Sequence, residues 1–435
     1  MDRGAGEGQG HGMNAAILSI GDELTLGQTQ DTNARWLAGR LADRGVRCVQ
    51  FRVVPDCVTA QETALRELAS VAELVLVTGG LGPTDDDLTR EALRAAMGDA
   101  QPLVLDPPSL ELLDRWFRDR GRIMPDINRR QAMRPSGAAC LRNDFGTAPG
   151  LQARVGSATV ICLPGPPREM EPMFERFVLP MLPAVAMATG TVHAFGQGES
   201  FLAERLGDRM RRDRNPLVGT TASGSVVSAR VRGTGVAAAV AAMEQELSEI
   251  ESLWRPFAFA RGSVTLAGAL GAALRARGHT LALAESCTGG LAGAMVTAES
   301  GASDWFRGGV MSYANQAKRD LCGVRQDSLD KHGAVSGPVA QELAAGAARA
   351  LGADWAASIT GVAGPSGGSE AKPVGTVFIG VHGPGFDAVR RFRFPGERAI
   401  VRDRAAKTAL ALLRLAVATP QDFAVPFIWE WPEGA

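Results

Sequence analysis

The run Leu74-Val75-Leu76-Val77 passes straight into Thr78-Gly79-Gly80-Leu81-Gly82, and this junction narrows the fold more than any other stretch of the chain. Consecutive apolar residues stopped by glycines read as a buried strand feeding a loop. Ala15 to Ile20 has the same form and ends in Gly21-Asp22. Between the two runs, Thr32 to Arg44 carries Trp36, Leu37 and Leu41 on one helical side. Val46 to Val54 reads as a second strand, and Ala60 to Ala69 as a second helix. Strand, helix, strand, helix, strand implies a parallel sheet with right-handed crossovers. Open α/β sheets of this kind bind ligands beyond the carboxyl ends of their strands, where both glycine turns lie.

Further on, Thr159 to Leu163 adds a strand before Pro164-Gly165-Pro166-Pro167 and a helix from Arg168. Val185 to Gly198 marks a boundary. The next block is α+β: a helix from Ser200 to Arg211, alternating strand residues from Val226 to Val231, and an Ala- and Glu-rich helix from Val236 to Leu253. The third block is again α/β. It reads as a helix (Leu266 to Ala276), a strand (Thr280 to Ala284), a polar turn (Glu285 to Gly290) and a helix from Leu291. Strand-like runs follow at Gly309 to Tyr313, Trp355 to Ile359 and Val374 to Val381. The expected divisions are a disordered extension (1–13), three domains (14–184, 185–258 and 259–420) and a tail (421–435). The tail's Phe423, Phe427, Trp429 and Trp431 are expected to pack on the surface or at a subunit contact.

Composition removes several classes of function. The chain has 435 residues, enough for two to four domains. Its net charge of -1 gives no chain-wide pull toward nucleic acid or membrane. The cluster Arg209 to Arg214 is diluted by Asp208 and Asp213 and reads as a solvated helix face. No apolar run reaches the roughly 18–20 residues of a membrane helix. Met1 to Gly12 lacks the basic-then-apolar pattern of a signal peptide, so a cytoplasmic location is expected. The six cysteines show no CxxC spacing and read as reduced core residues.

Two motifs carry chemistry. In the first block, glycines of Gly79 to Gly82 let backbone approach a ligand, and turn N–H groups can cradle phosphate. Asp85, Asp86 and Asp87 beside them suit a hard cation, but are equally good first residues of a helix. Asp22 and Glu23, with Asp31-Thr32-Asn33, form a second acidic turn. Asn128 and Arg129 are candidates for ligand oxygens, and Asn128 also suits a turn after Pro125.

In the third block, Glu285-Ser286-Cys287-Thr288-Gly289-Gly290 sits between strand and helix. Ser286 there reads either as a helix cap or as a nucleophile near helix N–H groups, with Thr288 and Gly289 as oxyanion donors. Tyr313 is the only tyrosine, in a chain with 16 phenylalanines. Lys318 follows five residues later. If Asn315 caps a helix, Lys318 falls in its first turn, where the helix dipole favours a neutral amine able to act as a base toward serine. A solvent-exposed lysine is the competing reading. Cys287 is the rival nucleophile, with no sequence-adjacent histidine to support it. Thr360, Gly361, Ala363 and Gly364 end a strand in a Gly-rich turn that can offer N–H groups to a phosphate or oxyanion, and Lys372 is placed to meet a phosphate.

Taken in order, these segments resemble a known family. The first-block features are Ile20-Gly21-Asp22-Glu23-Leu24, Gly27-Gln28, Asp31-Thr32-Asn33, the Gly79 to Glu91 loop, Asn128-Arg129-Arg130-Gln131, Gly146 to Gly150 and Leu163 to Met170. Together they are similar to the molybdopterin-binding-like domain of the competence/damage-inducible protein A (CinA) family. Leu81 stands where relatives that assemble molybdenum cofactor carry Thr. The resemblance therefore implies a metal-dependent pyrophosphatase acting on ADP-ribose-like nucleotides, with Asp22, Glu23, Asp85, Asp86 and Asp87 at a divalent cation such as Mg²⁺. Asn33, Gly79, Gly80, Gly82, Asn128 and Arg129 would lie at its substrate. The middle block resembles the family's KH-like linker domain through Gly196 to Ser200 and Asn215-Pro216, without an evident Gly-x-x-Gly clamp for RNA.

In the third block Glu-Ser-Cys-Thr-Gly-Gly, Ser-Tyr-Ala-Asn-Gln-Ala-Lys, His332 to Ser336, Thr-Gly-Val-Ala-Gly-Pro and Lys-Pro-Val-Gly-Thr-Val resemble the CinA C-terminal domain. This implies a cofactor-free nicotinamide-nucleotide amidase that converts nicotinamide mononucleotide to nicotinate mononucleotide and ammonia. Ser286, Tyr313 and Lys318 match its catalytic residues, with Glu285, Thr288, Gly289, Asn315, Thr360, Gly361, Ala363, Gly364 and Lys372 toward substrate. Small-molecule nucleotides as partners, a homodimer, and no membrane or nucleic-acid partner complete the expectation. The alternative is a nucleotide- or pterin-binding competence or damage-response factor without catalysis in the first domain.

Overall fold

A computed structural model describes residues 13–98, 101–183, 188–233 and 237–431. The expected extension lies outside these residues except for Met13. The described chain forms two compact units, one of residues up to 188 and one of residues 189–233 and 240 onward.

The first unit is built around β1 (Asn14–Ile20), α1 (Thr32–Ala42), β2 (Arg47–Val54), α2 (Val58–Val71), β3 (Leu74–Thr78) and α3 (Thr89–Met97). The chain then adds β4 (Ala139–Leu141), β5 (Gly150–Val155), β6 (Ala158–Leu163) and α4 (Pro167–Met173). The sheet order is β2-β1-β3-β6-β5-β4. The first four strands are parallel; every residue of β3 is buried, whereas β2, at the sheet edge, alternates exposed and half-buried residues up to Val54. The last two run antiparallel, so the sheet is mixed at this edge. The tight turn at Gly156 (φ 57°) joins β5 directly to β6, and a turn that short permits only an antiparallel return. Helices cover both faces over two apolar clusters, one containing Leu65 and Leu93, the other Leu37 and Phe174.

In the second unit, β7 (Ala188–Phe195), α5 (Glu199–Leu206), β8 (Leu217–Ser223), β9 (Val226–Gly233), α6 (Ala237–Leu253) and β10 (Ala258–Arg261) make the α+β block. Its sheet runs β8-β9-β7-β10. The arginine cluster here is not a helix face. Arg209 and Arg214 both donate to the buried carboxylate of Glu246, at 2.9 and 3.3 Å.

The remaining elements are α7 (Leu266–Arg275), β11 (Leu281–Glu285), α8 (Leu291–Thr297), β12 (Phe306–Met311), α9 (Asn315–Cys322) and α10 (Gln326–His332). They are followed by α11 (Gly337–Leu351), β13 (Trp355–Gly361), β14 (Thr376–Gly383), β15 (Phe386–Arg393) and α12 (Arg398–Ala418). The sheet order is β12-β11-β13-β14-β15, with β11 parallel to both neighbours and β14 and β15 antiparallel. The helix α12 is long, but among the described residues no helix is long and apolar enough to cross a membrane.

The aromatic tail, expected to pack on the surface or at a subunit contact, packs onto the second unit with Phe423 and Phe427 buried. Phe427 is buried among Phe195, Phe257 and Phe392, with ring centroids 6.1–6.4 Å away. Backbone bonds fix it: Ile428 N donates to Gly196 O at 2.8 Å, and Trp431 N to Arg391 O at 2.9 Å. Arg390 pairs with Glu430 and donates to Phe423 O at 2.8 Å. The tail therefore straps β15 to the end of β7.

Two stability predictions follow from this packing. Gly79 has φ 101°, and a Cβ there would lie 2.4 Å from Ile20 O, whereas Gly27 has φ 69° with open space around it. Gly79→Ala should cost clearly more than the roughly 1–2 kcal/mol of left-handed strain expected for Gly27→Ala. Calorimetry of the first unit's transition measures both, and equal losses would refute the steric account. Phe427→Ala should lower the second unit's stability by about 3–5 kcal/mol; a change under about 1 kcal/mol would show that the strap is not part of the core.

Candidate functional site

The clearest constellation lies at the carboxyl ends of β11, β12 and β13. Ser286 follows the last residue of β11, and its N–H extends the ladder to Ile359 O at 2.9 Å. Ser312, just past β12, donates from its N–H to Glu285 O at 2.8 Å. These two bonds place the Ser286 turn and the Ser312-Tyr313 turn side by side.

Lys318 joins them. It sits in the first turn of α9, as its spacing implied, but Asn315 is the first helical residue and Ala314 takes the capping position without a side-chain bond. Lys318 is buried to 1% exposure, which excludes the surface-lysine reading. Its Nζ lies 2.7 Å from Ser312 O, 3.1 Å from Tyr313 O and 3.3 Å from Ser286 Oγ. Burial pulls the amine below its ordinary pKa of 10.5. The two carbonyls can only accept, so they fix two N–H bonds. In the neutral amine the lone pair is then left for the Ser286 hydroxyl proton.

Around this pair is a cavity of 220 Å³ lined by Ser286, Cys287, Tyr313, Asn315, Lys318, Ala334, Val335, Thr360, Gly361, Ala363 and Arg398. Tyr313 is two-thirds exposed, and its phenol reaches neither Ser286 nor Lys318. Its backbone carbonyl, rather than its ring, holds the lysine. Thr360 is committed to Ala334 O at 2.7 Å. Burial pushes the Cys287 thiol up to about 12, which removes it as a ready thiolate.

Several residues expected at substrate have other work. The Glu285 carboxylate is buried and accepts from the N–H groups of Gly290, Ala292 and Gly293 at 3.0, 3.1 and 2.7 Å. It caps α8 instead of meeting a ligand. The Gly289 N–H is taken by Ser286 O at 3.2 Å and Thr288 is fully buried off the cavity, so among the described residues the turn amide left toward the cavity is that of Cys287. Gly364 is held through its carbonyl by Arg398 Nη1 at 2.8 Å. Lys372 Nζ binds His332 O at 2.7 Å and lies off the cavity. The cavity's cation is Arg398, at the start of α12, more than a hundred residues from Ser286 and without a local motif to announce it.

The first unit holds a larger cleft of 440 Å³ at the carboxyl ends of β1, β2, β3 and β6. Glu23, Asn33, Gly79, Gly80, Gly82, Asp86 and Asp87 line it. Asn33 Nδ2 reaches Gly165 O at 2.7 Å across the mouth. The loop is braced from within: Asp87 accepts from Gly82 N at 2.8 Å and Thr84 N at 2.9 Å. Beneath it, Arg90 is buried and donates to the carbonyls of Leu81 and Gly82, with burial lowering its pKa to about 10. Leu81 is 2% exposed and belongs to the core.

The five expected metal ligands do not converge. Asp22 and Asp56 each donate a backbone N–H to the other's carboxylate, at 2.9 and 3.2 Å. Asp85 points to solvent beside Arg130. Among the described residues no group of three or more His, Cys, Asp or Glu side chains is placed to hold a metal ion. Asn128 is buried against Gln131 at 2.8 Å, and only Gln131 faces the cleft; Arg129 is exposed and off it. Asp56, a lining residue the sequence did not single out, has its carboxyl pushed up first by burial and then by Asp22, Glu23 and Asp86.

Comparison with known proteins covers nearly the whole chain. Residues 263–417 match the CinA C-terminal domain, residues 16–184 the model described as "Probable molybdopterin binding domain", and residues 189–259 the "Damage-inducible protein CinA KH domain". CinA-like proteins of Nostoc punctiforme and Kosmotoga olearia are 41% and 38% identical over 418 and 412 residues, covering 92% and 93% of this chain and 99% of each relative. A crystal structure of a competence/damage-inducible protein from Agrobacterium tumefaciens is 36% identical over 35% of this chain and 93% of its own, with a TM-score of 0.34.

Lys318 also makes stability depend on pH. Its folded pKa lies below 10.5, so between the folded value and 10.5 the unfolded chain binds the extra proton and stability rises with pH. Denaturant titrations of wild type and Lys318→Met across that window should diverge in favour of wild type as pH rises. Parallel curves would mean that the amine is not buried.

Proposed function

The chain belongs to the competence/damage-inducible protein A (CinA) family, and from that premise and the geometry above we propose that its C-terminal block is a serine amidohydrolase acting on the carboxamide of nicotinamide mononucleotide. The observation that carries the reading is the buried Lys318 amine, held by two carbonyls and facing Ser286 Oγ.

Neutral Lys318 takes the Ser286 proton as Oγ bonds to the carboxamide carbon. The carbonyl electron pair moves to oxygen, where the amide of Cys287, on the cavity lining, stabilises it. Collapse of this intermediate breaks the C–N bond, and Lys318 returns the proton to the departing nitrogen, which leaves as ammonia. Water, deprotonated by the same amine, then cleaves the acyl ester and frees nicotinate mononucleotide and Ser286. Arg398 supplies positive charge toward the phosphate, and Tyr313 acts at the cavity mouth.

For the first unit we propose a phosphorylated-nucleotide site, with ADP-ribose hydrolysis as the activity that the family resemblance implies. Its support is a deep cleft whose floor is the glycine loop. The carboxylates do not fit a preformed cation cage, so no step is assigned to a metal ion.

Incubation with nicotinamide mononucleotide, and separately with ADP-ribose and Mg²⁺, separates the possibilities by ammonia and AMP. Ammonia without AMP would leave the first unit a binder, and neither product would leave a nucleotide- or pterin-binding factor. Ser286→Ala should lower ammonia release by roughly a thousandfold or more, and Lys318→Met by about 10²–10⁴-fold. Cys287→Ala should stay active; the reverse pattern for Ser286 and Cys287 would overturn the assignment. Wild-type kcat/KM should rise with pH along an acid limb whose midpoint lies below 10.5.

A further inference from the structure

We propose that Glu285 and Arg402 are positioning residues that together set the oxyanion turn beside Ser286. The proposal rests on the amidase reading above.

The turn from Ser286 to Gly290 is held at two points. On one side the Glu285 side chain, 3% exposed, folds over the start of α8 and occupies the amides of Gly290, Ala292 and Gly293. These are the donors that a helix N-terminus ordinarily offers to an anion. With them occupied, the turn amide left to meet an anion is that of Cys287, which lines the cavity next to the nucleophile. A substrate carboxylate or phosphate is also denied the helix end.

On the other side Arg402, on α12, donates from Nε at 3.2 Å and Nη2 at 2.7 Å to Thr288 O. A peptide unit is planar, so fixing the Thr288 carbonyl also fixes the Gly289 N–H. That N–H closes back on Ser286 O at 3.2 Å. Gly289, with φ 58°, accepts the left-handed backbone this closure needs. The Ser286 carbonyl it holds shares a peptide plane with the Cys287 N–H, so that amide is left with one orientation. Arg402 stands one helical turn after Arg398, so the same face of α12 lines the cavity and holds the turn.

The test compares full-length wild type with Glu285→Gln, Arg402→Met, Arg402→Lys and, as a control, Arg404→Met, whose side chain binds Ser225 Oγ and Pro395 O. Two readouts are taken: ammonia from nicotinamide mononucleotide, and the rate of Ser286 sulfonylation by phenylmethylsulfonyl fluoride, followed by intact mass. Glu285→Gln and Arg402→Met should lower kcat about 10- to 100-fold, as small misplacements in an active site do. KM should stay within about twofold, sulfonylation should slow in parallel, and Arg402→Lys should recover part of the loss. Arg404→Met should match wild type. Unchanged kcat in both variants, or a rise in KM alone, would overturn the proposal. If wild type releases no ammonia but is sulfonylated, and the variants slow that step, the positioning role stands and the substrate reading falls. If wild type does neither, both fall. Should Glu285→Gln not fold, the two Arg402 variants decide.

Discussion

A lysine amine enclosed by protein can persist only if its hydrogens are satisfied and its charge is dispensable. Lys318 meets the first through the carbonyls of Ser312 and Tyr313, while burial acts on the second by pulling its pKa below 10.5. Much of the second unit's design serves that enclosure. The parallel trio β12-β11-β13 brings two loop starts to one edge, α9 delivers the side chain from below, and the Ser286 hydroxyl closes the third direction. A fold that buries a cation without an acid partner forces it toward the neutral form. The lowered pKa of Lys318 is thus produced by packing rather than by a neighbouring charge.

Much of this architecture was legible in the chain. β1, β3, β6, β11 and β13 were readable because each is a short, mostly apolar run, and strands buried on both faces leave that mark, while the edge strand β2 alternates instead. The antiparallel strands β4, β5 and β15 were not, although β14 was: Gly150–Val155 mixes the half-buried Gln152 and the exposed Arg154 into an otherwise buried strand. Within the site, Ser286 and Lys318 were visible as motif residues. Glu285 was assigned to substrate because residue type says carboxylate and not where it bends. Arg398, Arg402 and Arg90 went unseen for a related reason: arginines are common, and only tertiary structure brings α12 to the Ser286 turn or places α3 under the glycine loop.

The two clefts hold their turns by opposite means. In the first unit a charged residue lies beneath the loop, where Arg90 draws the Leu81 and Gly82 carbonyls inward while Asp87 draws in the amides. In the second, the acid beneath the turn takes the amides and the arginine takes the carbonyl. Either way the loop's own peptide groups are spent in pairs, and those left over are few and directed. The acidic residues that looked like a metal cage are partly consumed in this bracing, which is why their density in sequence overstated their convergence in space.

The strap formed by Phe427 has a consequence for gene architecture. The last segment of the chain is encoded far from the middle block, yet it completes the packing of Phe195 and Phe257. A gene that split these blocks into separate proteins could not simply be cut between them. The freed C-terminal protein would carry Phe427 and Trp429 into water, an aggregation hazard, while the other half would lose part of its core. A free-standing version of the block would have to end soon after α12 or exchange these rings for polar residues.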